Sequence, residues 1–338
     1  MKAAILYKKN EPIVIEDIEL PADLGYGQVK VKILVSGLCG AQLQEIAGLK
    51  GNEKFMPHLL GHEGCGIVEA VGEGVSKVSV GHKVVMHWRK GSGIEAKFPM
   101  YTRQGNPMSG NKITTLSEYS IVSENRLTPI GSDVASDFAA LLGCGLSTGF
   151  AVVNKEANVK FGESVLVLGA GGVGLNCIRA AVLSQATVYA VDMYSEKQTL
   201  VRKNGGCFVD EEMMNLIVKA KKKFDCIIDT TGALDLVSKY LPTLSEQGRL
   251  ILVAQPKAGS QLTVTNPAAF FSTAGQQIKT TQAGGFDPDV DIPRYTQLFI
   301  NKKIDLDTLI THRFKLDDIN LAVDTLRSGQ CGRIMIYP

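Results

Sequence analysis

The sequence predicts an α/β protein of two domains, a β-rich one and one built on a doubly wound parallel sheet. The chain has 338 residues, more than a single hydrophobic core usually serves. Its first part carries short apolar stretches with a period of two, separated by glycine-rich turns, whereas its middle part alternates apolar strands with helical patterns. We therefore expect one domain from residues 1–145, completed by 284–338, and a second from residues 146–283.

The β-rich domain is predicted from alternation. Val29, Val31, Ile33 and Val35 alternate with other residues, two of them lysines, as in a strand with one buried face. Further short strands are expected at 66–71, 83–86 and 118–122. Short strands at this spacing are typical of a sandwich or barrel-like unit.

The parallel sheet is predicted from a continuous apolar run at 164–168, which suits a strand covered on both faces. A helix should follow through Leu183, then a strand ending at Asp192 and a helix capped by Ser195 and ended by Gly205. Strands at 225–228 and 249–254 continue the alternation, which ends at Gly284. The tail to Pro338 is rich in charge and turns and is expected to return to the first domain.

Composition excludes several classes of function. A formal net charge of +2 gives no electrostatic support for nucleic-acid binding. The N-terminus lacks the features of a secretory signal, and no apolar run is long enough to cross a bilayer, so we expect a cytoplasmic protein without membrane contact. Seven cysteines without CxxC spacing argue against a disulfide framework.

A dinucleotide site is indicated at the end of the 164–168 strand. Gly169, Gly171 and Gly174 form the GxGxxG pattern, which permits a tight turn and close approach of backbone to a pyrophosphate. The pattern alone is weak, but here it lies between a strand and a helix, as the motif requires. Asp192 lies where a carboxylate would bind the adenosine ribose and repel the extra phosphate of NADP, so the sequence favours NAD.

A zinc site is suggested by Cys39 in SGLCG, by His62 and Glu63 in GHEG, and by Cys144 in GCGLSTG. These are residue types that bind zinc, and catalytic zinc uses three protein ligands with a fourth position open. Taken singly, each cysteine is more often a core residue.

The motifs VSGLCG, LLGHEGCGIVEAVGEGV, GCGLSTGF, LGAGGVGL and GQCGRIMI, spread over the whole chain, resemble those of the zinc-containing alcohol dehydrogenases of the medium-chain dehydrogenase/reductase family. The resemblance implies a GroES-like catalytic domain joined to a Rossmann domain. It also implies that Cys39, His62 and Cys144 bind a catalytic zinc, with Glu63 as a neighbour able to join the ligands. A homodimer or homotetramer is implied by analogy only.

The resemblance also assigns residues around the two sites. Gln42 would accept a hydrogen bond from the free nitrogen of His62, or else is a plain surface amide. Trp88 would line the substrate pocket. The residues expected at the cofactor are Thr148, Gly169, Gly171, Gly172, Val173, Gly174, Asp192, Lys197 and Arg333.

The sequence departs from the family in three places. No cysteine lies between Cys65 and Cys144, where the family's structural zinc lobe has four, so one zinc per subunit is expected and residues 87–111 should form a loop. Ala41 and Gln44 replace the usual proton-relay residues, and water, Glu45 or His87 are the candidates to replace them. Gly40 offers no charge to the pyrophosphate, which leaves more of that task to Arg333.

The expected activity is hydride transfer between NAD(H) and an alcohol or aldehyde, or a polyol or ketone, with zinc polarising the reacting oxygen. Arg89 and Lys90 after Trp88 suggest an anionic or polyhydroxylated substrate, although an ordinary exposed basic loop is the more common meaning of such residues. Two alternatives remain open. One is a zinc-free quinone or enoyl reductase of the same fold, and the other is a non-catalytic dinucleotide-binding protein.

Overall fold

A computed structural model describes residues 1–51, 56–264, 267 and 275–338 of the chain. The strands in it are β1 Lys2–Leu6, β2 Val14–Asp17, β3 Gln28–Leu38, β4 His58–Leu59, β5 Glu63–Val71, β6 Lys83–His87, β7 Met100–Arg103, β8 Asn106–Ser109, β9 Tyr119–Ser123, β10 Leu127–Ile130, β11 Ser164–Leu168, β12 Thr187–Val191, β13 Cys207–Phe208, β14 Phe224–Asp229, β15 Leu244–Leu252, β16 Gln277–Thr280, β17 Ile310–Lys315 and β18 Arg333–Tyr337.

The α-helices are α1 Gly40–Ile46, α2 Ser136–Leu142, α3 Gly145–Ala151, α4 Gly172–Leu183, α5 Gln198–Lys203, α6 Glu211–Lys219, α7 Leu234–Tyr240, α8 Pro288–Ile300 and α9 Ile319–Arg327. A π-helical turn, Val152–Glu156, continues α3. Single 3-10 turns lie at Glu124–Arg126, Ser195–Lys197, Leu241–Thr243, Ala283–Gly285, Leu306–Thr308 and Leu316–Asp318.

The chain divides into two compact units. Unit 1 comprises Met1–Gly145 and Asp287–Pro338, and unit 2 comprises Leu146–Phe286. The tail therefore joins unit 1 three residues later than the 284 expected from the sequence. Within the described residues no single helix is long and apolar enough to span a membrane, although the bent pair Ser136–Leu142 and Gly145–Glu156 meets that test by length and composition when taken together.

Unit 1 is β-rich, as predicted, and is organised around β3. This strand of 11 residues belongs to a seven-stranded sheet of order β10-β6-β5-β3-β18-β17, in which β9 also pairs with β3. Its first half pairs with β9 and its last residues pair with β18. Two strands therefore pair, one after the other, with the same edge of β3. The alternating valines Val29 and Val31 are fully buried in the core between these strands, as the period-two pattern requires.

The C-terminal tail is more regular than the expected run of charge and turns. It contains α8, then β17 and β18 as a parallel pair connected through α9. Ile319, Ala322 and Val323 on α9 are buried at the i, i+3, i+4 spacing of one helical face. This spacing was present in the sequence, but the exposed Leu321 and the charged residues on either side of these positions obscured it.

The segment expected as a loop at 87–111 contains a hairpin, β7 and β8. Gln104 and Gly105 connect the two strands, both with positive φ (47° and 78°), which suits the tight turn of a two-residue hairpin. Tyr101 on β7 is fully buried in a core with Ile5 and Met108. The β7–β8 hairpin is therefore held to unit 1 by apolar packing.

Unit 2 holds a six-stranded, fully parallel sheet of order β13-β12-β11-β14-β15-β16. In sequence order this is 3-2-1-4-5-6, the order of a doubly wound dinucleotide-binding sheet, and it confirms the predicted fold class. Two local predictions were wrong. The 249–254 strand ends at Leu252, and Ser195 is the first residue of a 3-10 turn and does not cap a helix.

Candidate active site

Three predicted metal ligands meet in unit 1. Cys39 follows β3 and is the N-cap residue of α1, His62 directly precedes β5, and Cys144 lies between α2 and α3. Their ligand atoms all lie within 4.8 Å of one another, and both thiols are buried while His62 is half-buried. Residues more than 100 positions apart are thus brought together by β3, β5 and the turn after α2.

The charge state of this cluster suits a metal. A hydrogen bond with Cys144 holds the pKa of the Cys39 thiol well below its usual range, against the opposing effect of burial, and His62 and the charge of Arg333 lower it further. A thiolate, not a thiol, is the form that binds metals. Two sulfurs and one imidazole nitrogen are a donor set that would hold zinc, which in catalytic sites takes three protein ligands.

Glu63, predicted as a further metal ligand, is not part of this cluster. Its carboxylate is fully buried, Oε1 forms an ion pair with the Arg333 guanidinium, and Oε2 accepts the Gly145 N–H at 2.8 Å. Both oxygens are therefore committed elsewhere. The neighbouring glycines make room for it, because a Cβ on Gly37 would lie 2.5 Å from Oε1.

The segment that carries His62 and Glu63 is fixed by buried hydroxyls. Ser36 and Thr115 each donate a hydrogen bond to the Glu63 carbonyl oxygen at 3.1 Å. Gly61 has a φ of 97°, and a Cβ there would lie 2.4 Å from Thr115 Oγ1. A larger residue at position 61 would clash with Thr115 and would be strained at this φ, which explains the glycine before His62.

Gln42 does not make its predicted contact. Its side chain is 1% exposed, its Nε2 donates to Glu45 Oε2 at 2.8 Å, and its Oε1 has no hydrogen-bond partner. The expected bond with the free nitrogen of His62 is therefore absent, because the amide is turned toward Glu45. The alternative, a surface amide, is equally wrong since the side chain is buried.

The three residues after β6, Trp88, Arg89 and Lys90, make their described contacts within unit 1. Trp88 lies half-buried against the apolar core of unit 1, and the Arg89 guanidinium lies 5.7 Å from its ring centroid. Lys90 pairs with Glu95 at 3.6 Å. The proposed substrate contacts of these three side chains stay predictions.

His87, a candidate for the proton relay, is held inside unit 1 by two hydrogen bonds. It is fully buried, its Nδ1 is 2.7 Å from the Arg89 carbonyl oxygen, and its Nε2 is 3.0 Å from Thr128 Oγ1. Burial lowers the pKa of His87 to about 4. Both nitrogens are engaged within the protein and burial favours the neutral ring, and a role of His87 in proton relay stays a prediction.

The predicted phosphate loop follows β11 in unit 2. Gly169 has a φ of 92°, and a Cβ on Gly174 would lie 1.9 Å from the Gly169 carbonyl oxygen. A Cβ on Gly171 would meet nothing within 4 Å, so the loop faces open space there. Helix α4 begins at Gly172 without a side-chain cap, and its first N–H groups are the kind that bind a pyrophosphate.

Asp192 lies at the carboxyl end of β12, beside this loop. Its Oδ2 accepts the Ala170 N–H at 2.7 Å and its Oδ1 accepts the Tyr194 N–H at 3.0 Å. The carboxylate is half-exposed, so lone pairs remain for a ligand. It therefore orients the glycine loop as well as offering acceptors for a ribose.

The other residues predicted to bind the cofactor differ from one another in burial and in their partners. Val173 is half-buried in the first turn of α4, while Lys197 is fully buried. Thr148 is buried with its Oγ1 unpartnered. Arg333, expected to reach a pyrophosphate, is 3% exposed and paired with Glu63, because that carboxylate needs a compensating charge.

Sequence reasoning missed Thr230, which contacts the phosphate loop from the next strand. It follows β14, and its hydroxyl donates to the carbonyl oxygens of Leu168 at 2.9 Å and Gly169 at 3.2 Å. A signal was present, since ligands bind at the carboxyl ends of strands where the strand order reverses. That reversal lies between β11 and β14.

Comparison with known proteins agrees with this description. Residues 25–132 match the model of the alcohol dehydrogenase GroES-like domain, and residues 172–292 match that of the zinc-binding dehydrogenase. The chain is 30% identical to alcohol dehydrogenase 6 of Peromyscus maniculatus, over 100% of this chain and 97% of that one. It is 29% identical to S-(hydroxymethyl)glutathione dehydrogenase of Aspergillus oryzae, over 99% and 95%.

Solved structures share the fold. An alcohol dehydrogenase zinc-binding domain protein from Burkholderia ambifaria superposes with a TM-score of 0.88 at 23% identity, covering 99% of this chain and 98% of that one. Benzyl alcohol dehydrogenase from Acinetobacter calcoaceticus gives 0.85 at 22% identity with the same coverage. The chain belongs to the zinc-containing alcohol dehydrogenases of the medium-chain dehydrogenase/reductase family and is an oxidoreductase.

Proposed function

We propose that this oxidoreductase is an NAD-linked, zinc-dependent alcohol dehydrogenase. The observation that carries the proposal is the convergence of Cys39, His62 and Cys144 within 4.8 Å, in a chain of a zinc-containing family. A zinc ion held there would act as a Lewis acid on the oxygen of an alcohol or carbonyl compound. The proposal includes one zinc per chain, because the sequence has no cysteine between Cys65 and Cys144 to form a second site.

Separate groups of residues would bind the metal, the pyrophosphate and the ribose. Cys39, His62 and Cys144 would hold the metal, while Arg333 balances the buried charge of Glu63. In unit 2 the glycine loop and the first N–H groups of α4 would hold the pyrophosphate. Asp192 would accept hydrogen bonds from the ribose hydroxyls and would repel a 2′-phosphate, which favours NAD over NADP.

The proposed substrate class is a primary or secondary alcohol with its aldehyde or ketone. Support comes from the curated relatives, which are named as alcohol dehydrogenase 6 and S-(hydroxymethyl)glutathione dehydrogenase. We also propose a homodimer or homotetramer, by analogy with the family. No nucleic-acid partner is proposed, since a net charge of +2 provides no basic field.

The test is a turnover assay with matched cysteine variants. Purified protein is given NAD⁺ or NADP⁺ and a panel of alcohols and polyols, and the reduced cofactor is followed by absorbance. We expect NADH from the wild type and from Cys207→Ala, an exposed cysteine outside the cluster, and none from Cys144→Ala. Reduction of quinones or enones that survives chelation, without alcohol turnover, would support the zinc-free reductase instead.

A further inference from the structure

One peptide unit of the phosphate loop is held at both of its polar ends. The peptide between Gly169 and Ala170 has its carbonyl oxygen 3.2 Å from the Thr230 hydroxyl, which donates to it. Its N–H donates to Asp192 Oδ2 at 2.7 Å. Side chains that follow the two strands flanking β11, namely Asp192 after β12 and Thr230 after β14, therefore fix the plane of this peptide from opposite sides.

The peptide needs such support because of the glycine before it. Gly169 has a φ of 92°, and glycine has the widest conformational freedom of any residue. A residue larger than glycine would not fit at this position, since a Cβ on Gly169 would lie 2.8 Å from both Thr230 Oγ1 and Thr231 Cγ2. A glycine there is thus required by packing, and its freedom has to be restricted by hydrogen bonds.

Thr230 is itself well anchored. Its N–H donates to the Leu168 carbonyl oxygen at 2.9 Å. The turn that follows is closed by the buried carboxylate of Asp229, which accepts the Thr231 N–H at 2.9 Å, the Thr231 hydroxyl at 2.6 Å and the Gly232 N–H at 3.1 Å. The Thr230 hydroxyl is therefore presented to the loop from a rigid turn.

We propose that Thr230 is a positioning residue for the dinucleotide, acting through the Gly169–Ala170 peptide together with Asp192. Its hydroxyl holds the peptide so that Asp192 keeps its bond to Ala170 and the glycine loop keeps the geometry that receives a pyrophosphate. This inference rests on the proposed NAD-binding function and extends it to a residue with no expected contact to the cofactor.

Loss of the hydroxyl should weaken cofactor binding. Without it the Gly169 carbonyl oxygen has no side-chain donor and the peptide can rotate. The loop then has to be ordered when NADH binds, which weakens the binding free energy. A neutral hydrogen bond of this kind corresponds to roughly a three- to tenfold change in a dissociation constant.

The experiment is a fluorescence titration of NADH into the metal-containing protein without substrate. We expect the NADH dissociation constant of Thr230→Val to rise roughly three- to tenfold, and Thr230→Ser to bind like the wild type because it restores the hydroxyl. Thr243→Val is the matched control, since it removes a buried hydroxyl of unit 2 that donates to the Tyr240 carbonyl oxygen and not to the glycine loop, and its NADH affinity should stay close to that of the wild type. Thr230→Ala provides the same comparison if the valine variant does not fold.

A second comparison separates positioning from general weakening. ADP-ribose, which carries the pyrophosphate, should lose affinity for Thr230→Val in parallel with NADH, while adenosine, which lacks it, should not. Equal NADH affinity of Thr230→Val and wild type, or an equal loss in Thr243→Val, would overturn the inference. Failure of the wild type to bind NADH would contradict the proposed cofactor itself.

Discussion

At the residue scale, the most consequential pair is Glu63 with Arg333. The two side chains are 270 positions apart in sequence and are 0% and 3% exposed. A fully buried carboxylate is unfavourable without a compensating cation, and Arg333 provides that charge while also lowering the pKa of Cys39. The pair therefore sets the electrostatic surroundings of the metal ligands.

Glu63→Gln should be strongly destabilising. The substitution keeps an acceptor for the Gly145 N–H but leaves the buried Arg333 guanidinium without its counter-charge, which typically costs about 3–5 kcal/mol. Chemical denaturation followed by circular dichroism measures the change. Asp324→Asn, which breaks an exposed pair with Arg327, is the control and should have no measurable effect. Equal stabilities of the two variants would show that the Glu63–Arg333 pair carries no such role.

His87 should make stability depend on pH. Burial lowers its pKa from 6.5 to about 4, so the folded protein favours the neutral ring. Below about pH 6.5 the unfolded chain takes up a proton that the folded chain does not, and the unfolding free energy should fall until about pH 4.

Urea unfolding of His87→Gln between pH 4.5 and 7.5 checks this expectation. The variant should be less stable at neutral pH but should show a flatter pH dependence, by up to about one proton. His82→Gln, at an exposed position, should retain the slope of the wild type. A wild-type slope in His87→Gln would mean that other groups account for the acid sensitivity.

How much of the site could be predicted depended on distance along the chain. Gly169, Gly171, Gly174 and Asp192 belong to one strand-helix-strand unit, and local pattern was enough to place them together. Thr230 lies 61 positions after Gly169, and no local pattern connects the two. The meeting of the three zinc ligands was likewise expected from family resemblance and not from their spacing.

The orientation of side chains was the second feature of the site that the sequence could not predict. The prediction located Gln42 near the metal ligands, but whether its amide faces His62 or Glu45 depends on packing that the sequence does not encode locally. For the same reason Arg333 was expected at the cofactor and is found against Glu63. A buried charge needs a paired opposite charge, and which one it meets depends on the tertiary fold.

At the scale of elements, the β7–β8 hairpin shows how a lobe without the family's cysteines is held. Tyr101 fills the core beneath it, and its hydroxyl oxygen accepts the Ile121 N–H at 2.9 Å. Nearby, Glu124 accepts N–H bonds from Ser76, Lys77 and Ile94, which fixes the preceding loop. Apolar packing and backbone hydrogen bonds stabilise this region.

Tyr101→Ala should therefore destabilise the protein by about 3–5 kcal/mol, the usual cost of removing a large buried aromatic side chain. Thermal unfolding measures the change, and limited proteolysis should detect earlier cleavage between residues 98 and 111. Phe161→Ala, at a side chain that is 83% exposed, is the control. A hairpin that tolerated Tyr101→Ala but unfolded on metal removal would point to an unrecognised metal in the lobe.

Elements were predicted best where one pattern dominated. The apolar run of β11 and the alternation of β3 needed no tertiary information, and both strands lie where expected. The β7–β8 hairpin was missed because Pro99 and Pro107 flank or interrupt it and its turn residues, Gln104 and Gly105, are not a strong turn pair. Helix α9 was missed because it is short, carries an exposed leucine at position 321 and lies among charged residues.

At the scale of the whole molecule, the two kinds of chemistry belong to different units. Unit 1 contains all three zinc ligands and the Glu63–Arg333 pair, and unit 2 contains the glycine loop, Asp192 and Thr230. The tail completes unit 1 by supplying β17 and β18 to its main sheet, so Arg333 reaches Glu63 from the far end of the chain. Metal binding and dinucleotide binding can accordingly be tested by separate substitutions.

The most direct test of the central claim is the zinc content per chain, measured by elemental analysis on protein purified without chelators. The claim of a single catalytic zinc held by Cys39, His62 and Cys144 predicts a value close to one for the wild type and for Cys207→Ala, and a value close to zero for Cys144→Ala. A value near two, or zinc retained by Cys144→Ala, would reveal a different metal site. A wild-type value near zero would contradict the claim of a zinc-dependent dehydrogenase.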